Sequence, residues 1–197
     1  MSQLPLSPPP IILASNSPRR KALLEQIGLT FQVMPSQVEE DPHLPLKPIE
    51  YAEYYARMKA QIVSEKYSQA LVIGADTIVV LDGNILGKPP SPQAARSMLS
   101  HLSNRTHTVI TGVSLQWKQM GIDETFHEKT SVTFYPIPRK ELTHYIKNWK
   151  PFDKAGSYGI QDWSSVWVKS IEGCYFNVVG FPLAAFYQQL RMIVKKT

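Results

Sequence analysis

Ile11-Ile12-Leu13-Ala14 is an uninterrupted apolar run too short for a helix, and it predicts a buried strand. After Ser15-Asn16-Ser17-Pro18-Arg19-Arg20, apolar residues recur at Ala22, Leu23, Leu24 and Ile27, and Gly28 closes the stripe. Ser17 as N-cap, Pro18 at the first helical position and Gly28 past the last turn predict a helix. Phe31 to Met34 predicts a second strand, so the chain opens strand, helix, strand.

From Ile49 to Tyr67 the spacing of Ala52, Tyr55, Ala56, Lys59, Ala60 and Val63 is helical, and Leu71 to Leu81 is strongly strand-like. Asp82-Gly83-Asn84 turns that strand back into Ile85-Leu86 as a hairpin. A helix from Ser91-Pro92 to about Leu102 follows. Alternation at Val109, Val113, Leu115 and Trp117, and again at Phe126, Val132 and Phe134, predicts a long antiparallel ribbon. A helix from Arg139 to Trp149, strands over Val166 to Ile171 and Phe176 to Val179, and a helix after Pro182 complete the reading. Strands and helices mix throughout, which predicts an α/β fold with a mixed sheet.

The 197 residues, 43% of them hydrophobic and 19% charged, can bury a core in a single domain without disulfides. Cys174 is the single cysteine, which excludes an intrachain disulfide and a cysteine-based zinc site and fits a reducing, cytoplasmic setting. Residues 1–10 read as a Pro-rich arm, because Pro5, Pro8, Pro9 and Pro10 interrupt any apolar leader. No apolar run approaches the roughly 18 residues of a membrane span. The net charge of +5 permits an anionic partner without choosing one.

Four segments carry candidate chemistry. Arg19 and Arg20 stand in the first turn of a helix, where cations are disfavoured unless an anion is supplied from outside. They read as phosphate ligands or as solvated charges on a capped helix. Ser91-Pro92-Gln93-Ala94-Ala95 starts a helix in the same way without basic residues, so the cap does not require them. Asp76, inside the apolar run Gly74 to Leu81, is costly to bury ionised without partners. It reads as a metal ligand or general base, or as a carboxylate meeting water at an edge or bulge beside Gly74.

Lys88 is confined between Gly87 and Pro89-Pro90, whereas Lys59 on an amphipathic helix ordinarily keeps its charge in water. Glu39-Glu40-Asp41 reads as a solvated loop or as carboxylates able to hold Mg²⁺ against phosphate. In Asp153 to Gln161, Gly156 and Gly159 imply tight turns, and Gln161 offers a donor and an acceptor to a base edge. The five histidines lack metal-ligand spacing, and neither a dinucleotide fingerprint nor a Walker loop is present.

In this order, Leu13 to Arg20, Glu39-Glu40, Lys59-Ala60, Gly74 to Thr77, Gly87-Lys88-Pro89, Thr111-Gly112-Val113, Asp153 to Gln161 and Asn177 to Leu183 resemble the Maf family of nucleoside triphosphate pyrophosphatases. The resemblance implies an elongated, two-lobed α/β fold with a central cleft. It also implies cleavage between the α and β phosphates with a divalent metal, Mg²⁺ or Mn²⁺. By position, Asp76 matches the proton acceptor, Ser15, Arg19, Arg20, Lys59 and Lys88 match substrate-binding residues, and Glu40 with Asp76 matches the metal site. Arg19, Thr77 and Gln161 follow the dTTP/UTP type rather than the 7-methyl-GTP type, which carries Trp, Gln and Glu there. Asp162 departs from the glycine usual after Gln161, and Trp163-Ser164-Ser165 replaces a Gly-rich run.

The expected partner is thus a small nucleoside triphosphate rather than a membrane or nucleic acid, with a homodimer left open. Two alternatives remain at this point. One is a pyrophosphatase for noncanonical purine nucleotides. The other is a non-catalytic nucleotide- or nucleic-acid-binding regulator, with Trp117, Trp149, Trp163 and Trp167 as stacking platforms. Carboxylates interleaved with the basic residues speak against a nucleic-acid groove.

Overall fold

Local signals at the N-terminal end translate directly into structure in a computed structural model describing residues 8–196. Strand β1 (Ile11–Leu13) is buried along its length. Helix α1 (Pro18–Gln26) starts where Ser17 accepts a hydrogen bond from the Arg20 amide and Pro18 occupies the first turn. Gly28, at φ +73°, reverses the chain into β2 (Gln32–Val33). There follow α2 (Pro48–Ser64), β3 (Leu71–Leu81), β4 (Asn84–Leu86) and α3 (Pro92–Leu102), which Ser91 caps. The long ribbon is β5 (Thr106–Trp117) and β6 (Ile122–Phe134), and α4 (Arg139–Trp149), β7 (Val168–Glu172), α5 (Tyr175–Val179) and α6 (Leu183–Lys196) complete the chain.

The seven strands form one sheet in the order β2-β1-β3-β5-β6-β7, with β4 paired to β3. β1 runs parallel to β2 and β3, and the other pairings are antiparallel. The sheet is therefore mixed, as expected.

Two expected strands are corrected. Phe176 to Val179 is the helix α5, because this segment turns the buried Asn177 amide onto the Val109 carbonyl and Thr130 hydroxyl at 3.0 and 2.9 Å. Tertiary hydrogen bonds outweigh the β preference of Phe and Val here. The strand expected from Val166 begins at Val168, since Asp162 caps a 3₁₀ turn over Trp163–Trp167 through the Ser164 amide. Of the Pro-rich arm, residues 1–7 lie outside the described residues; the Pro10 carbonyl accepts from the Leu71 amide at 2.9 Å.

Period-two alternation along β3 sets out the lobes. On one face Leu71, Ile73 and Ala75 join the core under α1 and α6, while Val79 and Leu81 join a second core under α3 and α4. Thr77 falls in the gap. On the other face Val72 packs with Ala60 and Val63 of α2, while Ile78 and Val80 pack with Tyr51, Ala52 and Tyr55. Asp76 falls in that gap.

Helix α2 lies unusually close to the sheet. A Cβ on Gly74 would overlap the Ala56 carbonyl, and one on Gly112 would overlap the Ala52 carbonyl. Gly112 is the partner of Asp76 across β3 and β5, so both glycines let α2 bring Lys59 down onto Asp76.

Candidate active site

A cleft of about 700 Å³ is lined by Ser15, Arg19, Arg20, Glu40, Lys59, Asp76, Thr77, Lys88 and Gln161, so the fold brings these nine motif residues together, whereas Glu39 and Asp41 are not part of its lining. At its floor, the Lys59 ammonium lies 2.7 Å from Asp76 Oδ1 and 2.6 Å from Glu40 Oε1. Asp76 pairs with Gly112 of β5 on one side and lies in the gap between the β1 and β4 pairings on the other, but at 3% exposure and in contact with Lys59 its carboxylate does not simply meet water. Lys59 is also buried, contrary to the ordinary fate of a helix-surface lysine.

Burial raises the Asp76 carboxyl above the ordinary carboxylate value; Glu40 adds to the rise, and Lys59 and Arg20 oppose it. At Glu40, burial pushes the same way, but Lys59 and Lys88 outweigh it and leave this carboxyl below its ordinary value. The two carboxylates are thus driven apart by their surroundings.

Arg19 and Arg20 have different environments. Arg20 turns into the protein, where it donates to the Gly180 carbonyl at 3.0 Å, the Ala75 carbonyl at 2.8 Å, Ser15 Oγ at 3.1 Å and Thr77 Oγ1 at 3.0 Å. Its planar fork ties α1, β3 and the turn after α5 into one wall of the cleft. Thr77 Oγ1 also donates to the Gly180 carbonyl at 3.2 Å and lies 3.0 Å from Thr111 Oγ1. Arg19 instead reaches Asp153 Oδ2 at 3.3 Å, joining the start of α1 to the segment that carries Gln161.

Lys88 is exposed in the cleft, and its backbone is restrained because the Gly87 carbonyl accepts from the Gly156 amide at 3.1 Å. Gly156 holds φ +66°, and a Cβ there would press on Val79 at 3.0 Å. Both features fit a loop shaped by close approach.

The donor set bears on a metal. Asp76 Oδ2 is buried without a hydrogen-bond partner, an uncompensated acceptor at the cleft floor. No cluster of three or more His, Cys, Asp and Glu side chains able to hold a metal occurs among the described residues. Two hard carboxylates, Glu40 and Asp76, fit Mg²⁺ or Mn²⁺, which take few protein ligands and complete their shell with phosphate oxygens and water.

The Gly180 and Ala75 carbonyls escape sequence reasoning because any residue type supplies a carbonyl. Asp162 was visible only as a departure. In the fold it accepts from Tyr145 OH at 3.1 and 3.0 Å and from Ser164 Oγ at 2.8 Å, so it anchors the Gln161 loop to α4.

The family model described as Maf-like protein matches residues 10–193. The chain is 45% identical over 181 residues to a dTTP/UTP pyrophosphatase of Carboxydothermus hydrogenoformans, covering 92% of this chain and 97% of that protein. It is 48% identical over 183 residues to a dTTP/UTP pyrophosphatase of Halalkalibacterium halodurans, covering 93% and 95%. Among solved structures, a nucleoside-triphosphatase / dITP/XTP pyrophosphatase from Mycobacterium abscessus is 13% identical with a TM-score of 0.47, covering 94% of this chain and 97% of that one. The protein, matched by the family model along nearly its whole length and close to half identical to these relatives, belongs to the Maf family.

Proposed function

We propose that the protein hydrolyses nucleoside triphosphates, dTTP and UTP by preference and modified pyrimidine nucleotides with them, to the monophosphate and pyrophosphate. The role is house-cleaning of the nucleotide pool in the cytoplasm. The observation that carries the reading is the Glu40–Lys59–Asp76 arrangement at the floor of a cleft whose walls also present Arg19 and Lys88. The names of the relatives agree with it.

Water attacks the α phosphorus as the bond from that phosphorus to the bridging oxygen breaks, and pyrophosphate leaves. Asp76 takes the proton of the attacking water, and its raised pKa brings it nearer the working range of a general base. Arg19 and Lys88 hold the phosphates, while Arg20 keeps the wall that carries Ser15 and Thr77 in place. A divalent cation held by Glu40 and Asp76 would neutralise charge on the leaving group. No helix among the described residues is long and apolar enough to cross a membrane.

The test is pyrophosphate release over UTP, dTTP, ITP, XTP and 7-methyl-GTP, with and without Mg²⁺. The expected result is one monophosphate and one pyrophosphate per turnover, with UTP and dTTP fastest. Release of orthophosphate alone, or equal or faster purine turnover, overturns the reading.

A further inference from the structure

Helix α4 ends on Trp149, because Lys150 takes a left-handed conformation at φ 44° and Pro151 follows. Trp149 is 37% exposed and lines the same cleft as Gln161. It is braced from behind. Tyr145 lies 5.9 Å away at an interplanar angle of 21°, Trp163 lies 5.7 Å away and His144 lies 5.6 Å away. Trp163 itself stacks on Tyr145 at 6.2 Å and meets the buried Trp167 edge-on at 5.5 Å.

Asp162 holds this aromatic wall in register with the Gln161 loop. Its carboxylate accepts from Tyr145 OH on α4 and from the Ser164 amide in the turn that carries Trp163. Lys154 Nζ stands 3.7 Å from Asp162 Oδ2, an oxygen that accepts from Tyr145. An indole left open toward a polar cleft, yet fixed by three aromatic neighbours, has little conformational freedom to lose when a flat ring settles on it. Any nucleobase offers a π-face to such a surface, and Gln161, which lines the same cleft, offers a donor and an acceptor for the base edge.

We propose that Trp149 is the stacking platform for the nucleobase, braced by Tyr145 and Trp163, with Asp162 as the positioning residue that keeps Gln161 on the same wall. This inference rests on the nucleotide reading of the cleft and names the contact that binds the base. The charged residues grip the phosphates and the aromatic wall grips the base, so the two parts of a nucleotide are separable in binding.

The test compares the wild type with Trp149→Ala and Trp149→Phe, using inhibition by UMP and by inorganic pyrophosphate, which has no base. Trp149→Ala raises the inhibition constant of UMP and the KM for UTP about tenfold and leaves inhibition by pyrophosphate unchanged. Trp149→Phe, which keeps an aromatic face, recovers most of the loss. UMP also quenches the tryptophan emission of the wild type, and Trp149→Phe removes most of that quenching. Unmoved UMP inhibition, or an equal loss for UMP and pyrophosphate, overturns the platform. If the wild type releases no pyrophosphate from any triphosphate while UMP still quenches Trp149, the platform stands and the proposed reaction falls. Pyrophosphate release with UMP inhibition insensitive to Trp149→Ala sinks the platform and leaves the reaction standing.

Discussion

Lys59 Nζ and Asp76 Oδ1 lie 2.7 Å apart at the floor of the cleft, an ion pair between a helix and the central strand. The same ammonium also serves Glu40 at 2.6 Å. The two carboxylates share this ammonium in contact, and Asp76 Oδ2 is the acceptor left without a partner. Removing either member of a buried pair is costly because the other charge stays behind in a medium that solvates it poorly.

Lys59→Met therefore lowers stability by about 3–5 kcal/mol, since it strands Asp76. Urea unfolding followed by far-UV circular dichroism measures it. Asp76→Asn combined with Lys59→Met recovers part of the loss, because the stranded charge is gone. Equal stability of the single and double variants would contradict this account of the pair.

Asp76→Asn keeps the shape of the floor and removes the proton acceptor. Turnover falls by about 10²- to 10⁴-fold while nucleotide binding persists. Single-turnover hydrolysis alongside equilibrium binding of UMP separates the two effects. Near-normal turnover removes Asp76 from the chemistry.

Gly74→Ala and Gly112→Ala push α2 off the sheet, because each new Cβ overlaps helix backbone that cannot rotate away. Each costs about 1–3 kcal/mol, and turnover drops as Lys59 withdraws from Asp76. Gly87→Ala is the control for stability. Nothing lies within 4 Å of a Cβ there, so its unfolding midpoint stays within about 0.5 kcal/mol of the wild type.

His107 supplies a pH dependence outside the cleft floor. It is buried against Phe134 and Tyr158, with Nε2 2.7 Å from Tyr158 OH, and burial lowers its pKa to about 4. In the unfolded chain it titrates near 6.5. The unfolded state thus binds the proton more readily, and stability present above the unfolded pKa is lost as pH falls toward the folded value. Between pH 7 and pH 5 this histidine alone removes about 2 kcal/mol. Chemical denaturation at both pH values measures it, and His107→Phe shrinks the difference.

Gly83 illustrates what is legible from neighbours in the chain. Asp82 and Gly83 both take positive φ, as a two-residue hairpin turn requires, and the dipeptide announces the turn. Ser17-Pro18, Ser91-Pro92 and Gly28 likewise mark helix ends, because a cap satisfies backbone groups a few residues away. Phe176 to Val179 shows the limit. Its β-rich composition describes a local preference, and the Asn177 hydrogen bonds to β5 and β6 lie beyond any local window.

The sequence by itself determined most helix and strand periods and the cap and turn positions, since each depends on near neighbours in the chain, and the order of its motifs carried the family resemblance. It also named Asp76, Lys59, Glu40 and Lys88 as separate candidates. Their meeting was decided by tertiary structure: Lys59 reaches Asp76 only because glycines on two adjacent strands admit α2, and Arg20 becomes a scaffold only when the Gly180 and Ala75 carbonyls converge on it. The aromatic wall behind Trp149 has the same origin. Packing brings distant residues within a few ångströms, and burial then changes what a lysine, an arginine or a carboxylate can do.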